Sequence, residues 1–170
     1  MRPYVRLILV TVLAVAMTAG TAAVALPAMS ATWSPRTSSS FDPHRDLTEF
    51  ESRILVEVNQ VRTERGLPKV RVFHSCVDTY AESWAGRLGR TGSFHHRDLS
   101  TVLEGCNLNW VGENLVRGSD LLPRTAVQAW MASPAHRSVL LKPRARWAGI
   151  GVRVGSDGKR YAVLNFGDRS

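Results

Sequence analysis

The sequence predicts an α+β fold, a three-layer α/β/α sandwich in which helices flank a small, mostly antiparallel sheet. Three observations lead to this prediction. Apolar residues recur at helical spacing through two segments of the first half and again after Pro123. Near the C-terminus they alternate instead with small or polar residues, as in strands. The two alternating runs are separated by Asp157-Gly158, a dipeptide typical of a hairpin turn.

The first half of the predicted domain contains two amphipathic helices. The first is predicted over residues 47–65, since its apolar residues share one face and Gly66 and Pro68 follow as a stop signal. The second is predicted to end at Gly89 and Gly92, and its apolar residues fall at i, i+3, i+4, i+7, i+8 and i+11. These positions are Val77, Tyr80, Ala81, Trp84, Ala85 and Leu88.

Two further helices are predicted in the second half. One begins near Pro123 and buries Val127, Trp130 and Met131. The dipeptide Ser133-Pro134 is typical of an N-cap followed by a first-turn proline, which predicts a short helix through residue 141. In this prediction the Ser133 hydroxyl accepts a backbone N–H of that helix.

The predicted sheet comprises a C-terminal hairpin and one earlier strand. Ile150, Val152 and Val154 alternate along its first strand, and Tyr161 and Val163, with Asn165 following in the same register, mark the second. A weaker pattern over residues 111–117 predicts the third strand. Together with the helices, these strands form the middle layer of the sandwich.

The N-terminal residues predict a secreted protein. Arg2 and Arg6 precede an apolar run, and Ala23-Val24-Ala25 forms a small-residue cleavage site, so residues 1–25 are predicted to be a signal peptide. The alternative is an uncleaved membrane anchor, because weakly apolar residues continue to Met29. Residues 26–46 are rich in proline and serine and are predicted to be a disordered linker, which leaves residues 47–170 as the folded domain.

The net charge indicates which partners to expect, and the cysteine count indicates a disulfide. The chain has 22 Lys and Arg against 14 Asp and Glu, so anionic envelope polymers or lipid headgroups are expected partners. The arginines are scattered along the chain and form no continuous basic run, which argues against nucleic-acid binding. Only Cys76 and Cys106 are present, and in an exported chain this even count predicts a disulfide. The alternative is a nucleophilic cysteine with a partner histidine.

Five segments in order resemble the CAP superfamily, the cysteine-rich secretory protein, antigen 5 and pathogenesis-related 1 type proteins, and in particular the bacterial SCP-like extracellular domains. They span most of the predicted domain. The segments are Asn59-Gln60-Val61-Arg62, Phe94-His95-His96, Gly112-Glu113-Asn114, Trp130-Met131-Ala132-Ser133-Pro134-Ala135-His136-Arg137 and Gly149-Ile150-Gly151-Val152.

The resemblance implies a cleft that is lined by histidines and glutamates. Carried over by position, His96 and His136 are its histidines and Glu113 is its first glutamate. The position of the second glutamate is Ser133 here, as in many bacterial members. Two alternatives remain. If the match to the family motif is shifted by one residue, His95 is the histidine that points inward. Glu113 could instead fix a turn by accepting hydrogen bonds from backbone N–H groups.

The chemistry of this cluster allows several functions. Two imidazoles and one carboxylate, His96, His136 and Glu113, suit a divalent cation such as zinc and also suit general acid–base catalysis. Three classes of function therefore remain open. We favour a non-catalytic extracellular module that binds a lipid, sterol or cell-wall ligand. A hydrolase with Ser133 as nucleophile and a structural wall-associated protein are the alternatives. The sequence leaves the oligomeric state open.

Overall fold

The computed structural model of the chain describes residues 47–71 and 74–170, so the predictions of a signal peptide and a linker lie outside the described residues. None of the helices in these ranges combines the length and the apolar character that crossing a membrane requires. The elements are α1 (Leu47–Thr63), α2 (Ser75–Thr91), α3 (Ser100–Gly105), β1 (Trp110–Gly118), α4 (Pro123–Ala132), α5 (Pro134–Leu140), β2 (Trp147–Val154) and β3 (Arg160–Asp168).

The three strands form one antiparallel sheet in the order β1-β3-β2. The central strand β3 is buried along its whole length, which leaves β1 and β2 as the two edges. β2 and β3 are joined by a tight turn at Gly158, whose φ of +74° suits glycine, and the Gly155 N–H donates to Lys159 O at 2.8 Å. The predicted hairpin and the third strand are therefore both present.

Helices α1, α4 and α5 pack on one face of this sheet. Their apolar side chains and those of the strands form a single buried cluster. Trp130 of α4 is almost fully buried, and its indole N–H donates to Leu115 O of β1 at 2.9 Å, which fixes α4 against that edge strand. The cluster includes Phe50, Ile54, Val58, Val127, Ile150, Val152, Leu164 and Phe166.

Helix α2 covers the opposite face. It lies so close to β2 that a Cβ at Gly149 would meet the backbone of Val77 and Asp78 at 2.4 Å, and one at Gly151 would meet the Ala81 backbone at 2.5 Å. Glycine is therefore required at both positions by the close approach of the helix. With helices on both faces, the three-layer α/β/α sandwich predicted from the sequence is confirmed.

The structure corrects several predicted boundaries. α2 continues through Gly89 and ends at Gly92, because only Gly92 has the left-handed backbone, at φ +66°, that terminates a helix. α1 ends at Thr63 rather than at residue 65. Helix α3 was not predicted, since six residues are too few to show a hydrophobic period. Cys76 and Cys106 form the predicted disulfide, which links the start of α2 to the residue after α3.

Candidate functional site

The candidate site lies at the β1 edge, where Glu113 meets a histidine from the loop after α2. Glu113 sits within strand β1, opposite Asn165 of β3, and not in a turn of its own. His96 Nδ1 lies 2.8 Å from Glu113 Oε1. The Glu113 side chain is fully buried, whereas the His96 side chain is 53% exposed. A buried carboxylate therefore orients an imidazole that faces solvent, which leaves its Nε2 available.

Burial and nearby charges shift the pKa of the Glu113 carboxyl in opposite directions. Burial raises the pKa of its carboxyl, whereas the hydrogen bond and charge of His96 and the charge of Arg97 act to lower it. Arg97 Nε lies 3.9 Å from Glu113 Oε2. The Arg97 side chain is only 9% exposed, and burial in turn lowers the pKa of its guanidinium. Glu113 is thus a buried acid that lies between the imidazole of His96 and the guanidinium of Arg97.

A second histidine, His136 of α5, lies beside His96. The two ring centroids are 6.0 Å apart. The position of α5 is fixed by Asn114 of β1, whose side-chain N–H donates to His136 O at 3.1 Å. Burial lowers the pKa of His136, and the charge of His96 lowers it further. His136 therefore presents a neutral imidazole at neutral pH, next to the oriented ring of His96.

The structure decides between the two adjacent histidines. His95 Nδ1 lies 3.0 Å from the Ser93 hydroxyl, and its ring meets Trp84 edge-on at 5.3 Å between centroids. His95 is thus directed to the α2 side of the loop, whereas His96 is directed to Glu113. The register that places His96 in the cluster is the one observed, and the alternative with His95 is wrong.

Ser133 lies at the junction of α4 and α5, as predicted, but does not cap α5 through its side chain. Its carbonyl instead accepts the Arg137 N–H at 2.8 Å. The predicted capping bond is therefore wrong, because the backbone alone makes the junction. Within the described residues, no hydrogen bond joins the Ser133 hydroxyl to His96 or His136. Three of the four predicted site residues are brought together, and Ser133 is not bonded to them.

The hydrogen bonds of the cluster indicate which of its residues could bind a metal ion. No group of three histidine, cysteine, aspartate or glutamate side chains in the described ranges is set to hold one ion. Glu113 is already bonded to Nδ1 of His96, as a carboxylate behind a metal-binding imidazole would be. The predicted three-ligand set of His96, Glu113 and His136 is therefore not formed in the described residues, because Glu113 faces Nδ1 of His96, and the residues left to hold an ion are the two imidazoles.

Next to His96 lies a groove of about 500 Å³ between α2, the following loop and α3. Both Arg97 and Arg87 stack on the Trp84 ring, with their guanidinium carbons 4.8 and 5.4 Å from its centroid. The lining therefore combines charged and hydroxyl-bearing side chains with the aromatic rings of Tyr80 and Trp84. The groove is lined by Tyr80, Ser83, Trp84, Arg87, His95, His96, Arg97, Asp98 and Thr101.

Sequence reasoning missed two residues that contact or adjoin the cluster. Arg97 follows His96 directly, yet no spacing rule distinguishes it from the other scattered arginines. Asn165 is fully buried opposite Glu113, and neither polar atom of its side chain makes a hydrogen bond to another described residue. A polar residue in an otherwise apolar central strand was the available signal for Asn165.

Comparisons with known proteins place this geometry in context. A family model described as the cysteine-rich secretory protein family (CAP) matches residues 55–166. A comparison with curated protein sequences gives no match.

Several solved structures share the fold. An outer surface protein of Borrelia burgdorferi is 21% identical, with a TM-score of 0.67 over 74% of this chain and 96% of that protein. An extracellular protein from Bacillus anthracis that contains an SCP domain is also 21% identical, with a TM-score of 0.63 over 72% of this chain but only 41% of its own length. NaASP2, crystallised with Zn²⁺, is 15% identical, with a TM-score of 0.56 over 72% of this chain and 80% of that one.

Proposed function

The chain belongs to the cysteine-rich secretory protein (CAP) family, and from this premise we propose that it is a non-catalytic extracellular binding module. One observation supports the proposal above all. The buried carboxylate of Glu113 holds His96 by Nδ1, the ring of His136 lies 6.0 Å away between centroids, and no nucleophile among the described residues is hydrogen-bonded to either ring. Such a pair suits the recognition of a ligand better than covalent catalysis, which needs a nucleophile within reach of its base.

The ligand that this cleft fits best is a hydroxyl-rich fragment of the cell wall. His96 and His136 each offer a ring nitrogen to a hydroxyl or carbonyl group. In the adjoining groove, the guanidinium groups of Arg87 and Arg97 stack on Trp84, so its ring offers little free apolar surface to a sterol or an acyl chain. The hydroxyl groups of Tyr80, Ser83 and Thr101 and the carboxylate of Asp98 line the groove, and they suit hydrogen bonds to a hydroxyl-rich ligand.

A metal ion would act through the same residues. NaASP2, which shares the fold, was crystallised with Zn²⁺. In this chain His96 and His136 would hold such an ion, Glu113 would orient His96, and the ion would polarise an oxygen of the ligand. Zinc binding can be tested separately by titrating the protein with zinc and monitoring the NMR signals of the His96 and His136 rings.

Histidine NMR on the purified full chain tests the binding proposal. The probe is a soluble disaccharide of N-acetylglucosamine and N-acetylmuramic acid, with palmitate and cholesterol sulfate as apolar comparisons. We expect the disaccharide to shift the ring signals of His96 and His136. Glu113→Gln, which keeps the shape but removes the charge, should weaken binding by about tenfold. His74→Asn is the matched control, since His74 packs on Trp147 near the opposite edge of the sheet.

Two outcomes would overturn this proposal. Shifts produced by an apolar probe alone would replace the cell-wall ligand with a lipid or sterol. Turnover of an ester or peptide substrate that is abolished by both Ser133→Ala and His136→Ala would establish a hydrolase instead.

A further inference from the structure

A second pocket lies at the β2 side of the domain and is strongly basic. This basic pocket has a volume of about 390 Å³ and is lined by Pro68, Lys69, Arg71, Arg146 and Trp147. Three of its five lining residues are cationic and none is acidic. None of the five also lines the groove at His96. It is thus a separate site with a different chemistry.

Backbone contacts fix the main chain at Arg71 and Arg146, whose side chains are exposed, as is that of Lys69. Arg71 forms a parallel bridge with Trp147 of β2, and its N–H donates to Arg146 O at 2.8 Å. The Arg146 N–H in turn donates to Gly167 O at 3.1 Å. Trp147 is further held by Arg169, whose guanidinium lies 5.4 Å from the centre of its ring. The pocket is therefore built on the edge of the sheet and does not depend on a bound ligand for its position.

Among the residues that the structure describes, the cations of the basic pocket have no carboxylate counter-charge. Within the described parts of the chain, no carboxylate forms an ion pair with Lys69, Arg71 or Arg146, although the neighbouring Arg144 pairs with Asp168 at 3.1 Å. Like charges gathered without an anion repel one another, and that repulsion disfavours the folded state. An anion in the pocket would remove this cost.

A fourth cation lies behind the basic pocket. Arg62 is fully buried, and its Nε donates to the carbonyl of Pro68, a residue of the pocket wall, at 3.0 Å. Its Nη1 is occupied by the carbonyls of Leu140 and Lys142, whereas Nη2 is buried without a hydrogen-bond partner. Burial lowers the pKa of Arg62, and the charge of Arg146 lowers it further. The positive potential of the pocket thus extends into the protein interior.

We propose that the basic pocket binds the phosphate groups of an anionic phosphodiester polymer of the cell envelope. A phosphate offers several oxygens to the surrounding guanidinium and ammonium groups, and arginine binds it in a bidentate manner. A polymer carries many phosphates, so it can also neutralise positive charges on the surface around the pocket. A lipid bilayer fits less well, because none of the large exposed apolar residues that the structure describes lines the pocket. Those residues are Val56, Phe94, Leu122 and Val154.

This inference is independent of the cleft at His96. The polymer would retain the exported module at the envelope, while the cleft would bind its own ligand. Loss of one activity by substitution would therefore leave the other intact, so the two proposals fail separately.

Calorimetric titration of the full chain tests the basic pocket. The probes are a soluble glycerol-phosphate oligomer, inorganic phosphate and phosphatidylglycerol vesicles. We expect the double variant Arg71→Gln/Arg146→Gln to bind the oligomer at least tenfold more weakly than the wild type. The control variant Arg90→Gln/Arg137→Gln removes the same charge from two exposed helical positions and should change affinity less than twofold. Thermal melting of each variant verifies folding, and Lys69→Gln replaces the double variant if that variant is unfolded.

Three results would overturn the proposal. The first is an affinity for the oligomer that is unchanged in the pocket variant or reduced equally in the control. The second is binding of inorganic phosphate as tight as that of the oligomer, which would indicate a site for a free anion. The third is binding to the vesicles without binding to the oligomer, which would indicate a lipid headgroup.

Discussion

The two edges of the sheet use buried or half-buried carboxylates in different ways. At the β2 edge, Glu51 of α1 accepts the Val152 N–H at 2.8 Å, and Asp78 of α2 accepts the Ile150 N–H at 3.0 Å. At the β1 edge, Glu113 is bonded instead to a half-exposed imidazole. Burial raises the pKa of all three carboxyls. The partner of each carboxylate therefore decides its role: backbone partners close a strand edge, and a histidine partner forms a binding cleft.

The largest expected effect tests how rigid the β2 side is. Gly151→Ala would place a Cβ 2.5 Å from the Ala81 backbone, which cannot move without displacing α2. We expect a loss of about 3 kcal/mol or more in the free energy of unfolding, measured with urea. Gly112→Ala on β1 should cost less, since its new Cβ would meet the side chains of Val139 and Trp110, which can shift. Gly118→Ala, with contacts no closer than 3.7 Å, is the control. Equal losses at all three positions would contradict the comparison.

The second prediction concerns the pH dependence of the β2 edge. Burial raises the pKa of Glu51 from 4.5 to about 8, so the folded protein holds this proton more tightly than the unfolded chain does. Stability should therefore fall as pH rises from about 4.5 to about 8. Glu51→Gln keeps an oxygen for the Val152 N–H but cannot ionise. It should raise the free energy of unfolding by about 2 kcal/mol at pH 9 relative to wild type and little at pH 5.

Denaturation at a series of pH values measures this effect of Glu51. Glu104→Gln, at an exposed position of α3, serves as the control. The interpretation fails if wild type and Glu51→Gln lose stability in parallel across the range, because then Asp78, Glu82 or Arg153, the neighbouring charged groups, would be responsible.

The third prediction concerns the cleft at the β1 edge. The NMR titration midpoint of His136 should lie below its ordinary value of 6.5, because the ring is partly buried and His96 adds a like charge. His96→Ala removes that charge and should raise the midpoint towards 6.5. His95→Ala should leave it in place, since His95 is directed towards Trp84. An identical midpoint in wild type and His96→Ala would show that the two rings are not coupled.

The smallest expected effect is at Ser133. Because its hydroxyl caps neither α4 nor α5, Ser133→Ala should change the free energy of unfolding by less than about 0.5 kcal/mol. Loss of a capping bond would cost about 1 kcal/mol. Thermal and urea unfolding distinguish the two values. A loss of about 1 kcal/mol would indicate that the Ser133 hydroxyl does make the capping bond that the sequence predicted.

The fold was largely predictable because its signals are local. The apolar faces of α1 and α2, the alternation along β2 and β3 and the turn at Gly158 each depend on residues a few positions apart. Helix α3 escaped prediction because it is too short to carry a period. Of the two glycines predicted to end α2, only Gly92 does so, because Gly89 lies within an otherwise regular helix.

The cluster of His96, Glu113 and His136 could be named from the order of five short motifs in the sequence. Their contacts could not be derived, since they depend on how a loop, a strand and a helix meet at one sheet edge. The choice of His96 over His95 and the absence of a Ser133 cap follow from backbone directions that no spacing encodes.

By itself, the sequence determined the sandwich of helices and strands, the disulfide between Cys76 and Cys106 and the identity of the three clustered residues. Only the tertiary structure decided which charges have partners. It paired Glu51 and Asp78 with the backbone of β2, placed Asn165 opposite Glu113, and gathered Lys69, Arg71 and Arg146 with no ion-pairing carboxylate among the described residues. The physical reason is range: helices, strands and turns are set by near neighbours, whereas ionic pairing and burial are set by residues that are distant in the chain.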